Sequence, residues 1–162
     1  MRRRLMFVSA NQEGSSVAKG DDIQERLIDF GVRILKVCAS LPRSKAGRHL
    51  GDQLLRSGTA PAANYAEARG SESAQDFIHK LRICSKELNE SAVWLAMITR
   101  AEMLPGHRLE ELQAECTSLT KIINASIATA KANQQRATRE ESAPYEFDVD
   151  NQQSAIIHQQ SE

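Results

Sequence analysis

The stretch Phe77-Ile78-His79-Lys80-Leu81-Arg82-Ile83-Cys84-Ser85-Lys86-Glu87-Leu88-Asn89-Glu90-Ser91-Ala92-Val93-Trp94-Leu95-Ala96-Met97-Ile98 decides the fold. Within it Phe77, Leu81, Cys84, Leu88, Ser91, Leu95 and Ile98 recur in steps of four and three. That period places small and apolar residues on one stripe of an α-helix, and such a stripe has to be buried against other helices. Ser71 or Ser73 is placed to cap its start, and Ser73-Ala74-Gln75-Asp76 resembles a capping box with Asp standing for Glu.

Three further stripes lie around it. Downstream, Leu104-Pro105-Gly106 makes a turn, and Leu109, Leu112, Cys116, Leu119, Ile123, Ser126 and Ala130 continue the same spacing. Upstream, Leu50, Leu54, Ser57, Pro61, Asn64 and Ala68 form a seam that is half small or polar, in a helix expected from about Ser44 to Ala68. Pro61 removes a backbone donor and predicts a bend near Ser57-Gly58. Gly70 stands where a helix-ending glycine would. The first stripe is Ile23, Leu27, Phe30, Ile34, Val37 and Leu41, with Asp21 and Asp22 expected to cap it and Leu41-Pro42 ending it. Short turns make successive helices antiparallel neighbours. The fold class expected is all-α, an up-down-up-down four-helix bundle over residues 21–132. Residues 1–20 read as a flexible arm, and 133–162 as a disordered, Gln-rich acidic tail.

Composition agrees with this and narrows the function. The 162 residues are 41% hydrophobic but only 4% aromatic. The formal net charge of zero hides an asymmetry: residues 1–135 hold 19 Lys/Arg against 15 Asp/Glu, and residues 136–162 hold two Arg against six acids. Cys38, Cys84 and Cys116 are scattered and odd in number, which favours reduced thiols in a cytoplasmic protein over a disulfide framework. Met1-Arg2-Arg3-Arg4 starts like a signal peptide, but the apolar run that follows is too short, and no segment is apolar enough to span a membrane. Enzyme signatures are missing. A di-iron bundle needs Glu-x-x-His on two helices, whereas Asp76-x-x-His79 is the sole near match; no metal, cofactor or catalytic residue is expected.

Two surface features remain. Ile28, Val32 and Leu35 on the first helix, with Val93, Trp94 and Met97 on the third, lie away from the seams. Either the core is broader than a narrow stripe, or these residues meet another copy, with Trp94 the leading interface candidate. Lys36, Arg43, Lys45, Arg48 and Arg56 form a cationic edge opposed only by Asp52, and Arg100, His107 and Arg108 are expected at the same end. Such a surface suits the phosphates of RNA or DNA, with weak sequence preference because no aromatic residues interleave. The plainer alternative is that Asp52 bridges Arg48 and Arg56 on a solvated face. Ser57 and Asn64, polar on a seam, need partners and are expected to fix helix register.

Leu54-Leu55-Arg56-Ser57-Gly58-Thr59-Ala60-Pro61-Ala62-Ala63-Asn64-Tyr65-Ala66-Glu67-Ala68, followed by Asp76-Phe77-Ile78-His79-Lys80-Leu81, Lys86-Glu87-Leu88-Asn89-Glu90 and Trp94-Leu95, resembles the ribosomal-RNA intervening-sequence family of four-helix bundle proteins. The resemblance spans roughly residues 22–127. It implies ring-shaped homopentamers with a basic surface, and a relation to the accessory variability proteins of diversity-generating retroelements, which bind RNA and a reverse transcriptase. Under it the second apolar stripe becomes a subunit interface, and Arg56, Asn64, Glu67 and Asp76 match polar family positions with no catalytic role. Ala60-Pro61-Ala62 departs from the Ser-Ile pattern commoner in the family. A protein-interaction scaffold that does not itself touch nucleic acid is the alternative function.

Overall fold

The computed structural model describes residues 20–141. Among them the chain forms α1 (Asp21–Ser40), α2 (Lys45–Arg69), α3 (Ala74–Arg100) and α4 (Glu110–Glu141), with a single 3-10 turn at Gly106–Arg108 and no strand. The expected arm at 1–19 and the tail from 142 onward lie outside the described residues. The all-α bundle is the observed fold.

Side-chain bonds establish the antiparallel order. Gln24 reaches the Ala62 carbonyl and Cys38 the Gly51 carbonyl, so α1 and α2 run in opposite directions. Lys80 to Glu67 and Arg56 to Glu90 do the same for α2 and α3. Ser85 to Asn124 and Gln113 to Thr99 do it for α3 and α4. Arg26 closes the bundle by donating to both Glu115 oxygens, at 3.0 and 3.1 Å, and to Ser118.

The core is built from the four stripes. Leu27, Phe30 and Ile34 of α1, Leu54 of α2, Leu81, Leu88, Leu95 and Ile98 of α3, and Leu109, Leu112, Leu119 and Ile123 at and along α4 are fully buried. Each contributes about 1.5–3 kcal/mol by leaving water. Cys84 and Cys116 are core residues too, their thiols donating to the Pro61 and Leu88 carbonyls.

Several expectations are corrected. Asp21 and Asp22 do not cap α1: Gly20 does, in the left-handed region (φ 101°) that favours glycine, and the two acids occupy the first turn. Gly70 does end α2 as expected, though without left-handed geometry, its N–H bonding to the Ala66 carbonyl. The expected span of α2 is borne out, with Pro61 inside one helix from Lys45 to Arg69. Tyr65, absent from the expected seam, is buried beside Ala68, while Asn64 is only half-buried. Ile78 is more deeply buried than Phe77 at the start of α3. Finally α4 does not stop at Ala132 but continues to Glu141. Residues 133–140 are exposed, so loss of the apolar period marked the end of burial, not of the helix. Ala, Gln, Arg and Glu in that stretch are good helix formers without packing.

Both middle helices are capped by serine, α3 by one of its two expected candidates and α2 by Ser44, for which no cap was expected. Ser44 accepts from the Gly47 N–H and Ser73 from the Asp76 N–H. Each cap is worth about 1 kcal/mol.

Candidate nucleic-acid interface

The up-down-up-down order brings the α1–α2 turn and the α3–α4 turn to one end. Lys36 sits near the end of α1, Arg43 in the turn, and Lys45 and Arg48 in the first turn of α2; all four are exposed. Arg48 donates through its guanidinium to the Arg43 carbonyl, which ties the turn to the helix. From the other turn, Arg108 lines the same groove as Lys36.

Charge pairing separates the cations into two groups. Arg26, Arg33, Arg56, Arg69 and Lys80 each form an ion pair with a carboxylate. Lys36, Arg43, Lys45 and Arg48 are in none of them. The first turn of α2 also carries no acid, although its N-terminus is the positive end of the helix dipole. Unlike-charged neighbours would normally gather there. Here positive charge is added to positive charge, at a cost of some tenths of a kcal/mol that an arriving anion would reverse. Asp52, Glu102, Glu110 and Glu111 dilute the field without pairing with these four side chains.

Arg56 does not belong to this group. Its guanidinium meets Glu90 at 2.6 Å and Gln53 at 3.3 Å. It points along the flank of α2 that faces α3, so the sequence spacing from Arg48 through Asp52 misled: neither arginine pairs with Asp52. Glu90 also accepts from the Trp94 indole N–H at 3.3 Å. Trp94 is consequently half-buried and packed on the core, not fully presented to solvent.

The remaining outward apolar residues are where the periodicity placed them. Ile28, Val32, Leu35, Val93 and Met97 are exposed, and Leu55 of α2, which the sequence reading passed over, joins them; the six range from 37% to 50% exposed. α1 and α3 are diagonal in the bundle, each flanked by α2 and α4, so their outer faces look in opposite directions.

The four polar positions play separate structural parts. Ser57 is buried against Ser91, at 3.0 Å. Asn64 turns back to the Ala60 carbonyl of its own helix and does not register a neighbour. Glu67 accepts from Lys80 at 2.6 Å, and Asp76 supplies the backbone N–H that Ser73 caps. Among the described residues no group of three or more His, Cys, Asp or Glu is arranged to hold a metal ion.

The family model described as 23S rRNA-intervening sequence protein matches residues 21–125, more than half of the chain. The chain belongs to this family. A similar solved structure is that of a protein of unknown function from the S23 ribosomal protein family of Bacteroides thetaiotaomicron. It shares 32% identity and a TM-score of 0.62, covering 65% of this chain and 97% of that one. No curated protein matches. The matched region of this intervening-sequence family member ends inside α4, and no helix of its described residues is long and apolar enough to cross a membrane.

Proposed function

We propose that this family member is a non-enzymatic, homo-oligomeric accessory protein that binds nucleic acid through the cationic end of its bundle. The observation that carries the reading is the set Lys36, Arg43, Lys45 and Arg48: exposed, without carboxylate partners, and gathered around the positive end of α2. Binding through them is led by the phosphate backbone, since no exposed aromatic side chain lies among them to stack on bases. Two outward apolar faces on opposite sides of the bundle favour a head-to-tail contact between copies, the kind that closes into a ring. The pentamer implied by the family resemblance is one such ring.

The test uses the full chain and its Arg43→Ala/Lys45→Ala/Arg48→Ala variant, titrated with RNA and with DNA at several salt concentrations. Each lost phosphate contact should flatten the slope of log K against log salt by about 0.7–0.9. An unchanged slope and affinity in the variant would refute the assignment.

A second reading is favoured by the exposed Val93 and Met97: the assembly presents a surface to an enzyme such as a reverse transcriptase, as an accessory of a diversity-generating retroelement. Capture of a reverse transcriptase by the full chain after nuclease treatment supports it. Capture that disappears with the nucleic acid returns the case to direct binding.

A further inference from the structure

Between α1 and α4, at the cationic end, lies a groove of about 170 Å³. Val37 and Leu104 form its apolar wall over the buried Leu109 and Leu112, and Arg33, Lys36 and Arg108 its rim. Leu109 and Leu112 are core residues without exposed surface, so the apolar surface an occupant can reach is that of Val37 and Leu104. The groove is smaller than the 300–1,000 Å³ usual for small-molecule pockets and has room for one or two apolar side chains. Glu111 reaches Arg33 at 3.6 Å but is almost wholly exposed, a loose partner; Lys36 and Arg108 have no ion pair among the described residues.

The chain itself carries a segment with matching chemistry. After Pro144 the sequence reads Tyr145-Glu146-Phe147-Asp148-Val149-Asp150, apolar and acidic residues in strict alternation. Residues 142–162 contain four acids and no Lys or Arg. Alternation of period two puts Tyr145, Phe147 and Val149 on one side of an extended strand, the acids on the other. We propose that this segment of one copy docks in the α1–α4 groove of another, with Phe147 against Val37 and Leu104 and its flanking carboxylates at Lys36 and Arg108.

Reach decides between its own groove and a neighbour's. From Leu112 to Glu141 is 29 residues of α4, about 44 Å at 1.5 Å per residue. The six residues from 142 to 147, even fully extended, span at most about 21 Å. Phe147 falls far short of its own groove, so the occupant comes from a second chain. The contact needs no nucleic acid but shares Lys36 with the proposed nucleic-acid site, so a docked tail competes with phosphates there.

The test is fluorescence anisotropy without nucleic acid, using a fluorescein-labelled peptide of residues 142–154. The receptor is the full chain carrying Phe147→Ala, so that its resident tails do not compete. Affinity should fall at least tenfold when the peptide carries Phe147→Ala, and likewise when the receptor carries Lys36→Glu and Arg108→Glu. A peptide with Glu146→Lys, Asp148→Lys and Asp150→Lys should bind that charge-reversed receptor again. Overturning results are no binding at millimolar peptide, equal binding by a scrambled peptide of the same composition, or binding indifferent to both rim charges. The peptide substitution leaves the receptor untouched, so it reads the contact even if the rim variant is perturbed.

Discussion

Ser91 Oγ lies 3.0 Å from Ser57 Oγ and 2.9 Å from the Glu87 carbonyl, with both serines wholly buried between α2 and α3. Each hydroxyl has a single proton. One arrangement satisfies all three groups: Ser91 donates to the carbonyl of its own helix, and Ser57 donates to Ser91. The two residues are therefore unequal. Ser91→Ala leaves the Ser57 hydroxyl buried without this partner and should cost about 1–2 kcal/mol. Ser57→Ala leaves Ser91 its carbonyl and should cost less than about 1 kcal/mol. The double variant should be no less stable than Ser91→Ala alone. Urea unfolding of the three variants checks this, and equal costs for the two single variants would contradict the asymmetry.

The α1–α2 turn depends on the absence of a side chain. A Cβ on Gly47 would lie 2.1 Å from the Pro42 carbonyl oxygen, a backbone atom that cannot step aside. On Gly51 it would meet only the end of the Leu41 side chain, at 3.3 Å. Gly47→Ala should therefore lose about 1–2 kcal/mol despite the roughly 1 kcal/mol gain in helix propensity. Gly51→Ala should be near neutral or stabilising. Thermal melts of the pair, side by side, decide whether the turn is packed as described.

How far residues could be read from the chain depends on which question they answer. Period alone locates buried stripes, so Leu81, Leu88, Leu95 and their counterparts were legible, as were the Ser44 and Ser73 helix starts. Period does not say which neighbour each flank meets. Arg56 shares spacing with Arg48 on one helix, but Glu90 of α3 claims it. By the same spacing Trp94 falls outward and Asn64 inward, yet both are half-buried. The extension of α4 past Ala132 was hidden because the apolar period reports burial, and those last turns pack on little. In the candidate site, Lys36, Arg43, Lys45 and Arg48 were legible as exposed charges; the groove beside Arg108, made by residues far apart in sequence, was not.

Arg56 and Arg48 should consequently behave differently. Arg56→Ala removes an exposed ion pair to Glu90 and should cost no more than about 1 kcal/mol of stability. Under the proposed function it should leave the salt slope of nucleic-acid binding unchanged, while Arg48→Ala lowers it. A larger slope change for Arg56 than for Arg48 would move the phosphate surface from the bundle end to the α2–α3 flank.

The outward apolar faces predict self-association. Val32→Glu and Met97→Glu alter residues 41% and 47% exposed, so neither disturbs the core. Each should keep the helical circular dichroism of the parent chain and shift its sedimentation toward the monomer. A parent chain that already sediments as a monomer at tens of micromolar would remove the basis for this assignment.

Alkaline stability offers a test of the core itself. Burial pushes the thiols of Cys84 and Cys116 up from 9.0 to about 12, because a thiolate there would lose water and gain no cation. In the unfolded chain both ionise near their ordinary value. The folded state then holds more protons between about pH 9 and pH 12, so stability must fall as pH rises through that window and be unaffected below it. The slope is about 1.4 kcal/mol per pH unit for each thiol. Cys84→Ala/Cys116→Ala should be less stable at neutral pH through lost packing, yet should lose less stability between pH 9 and pH 10.5 than the parent. Parallel curves for the two proteins would mean that the thiols ionise in place, and that the bundle interior is wetter than the packing of Leu88, Leu95 and Leu119 around it requires.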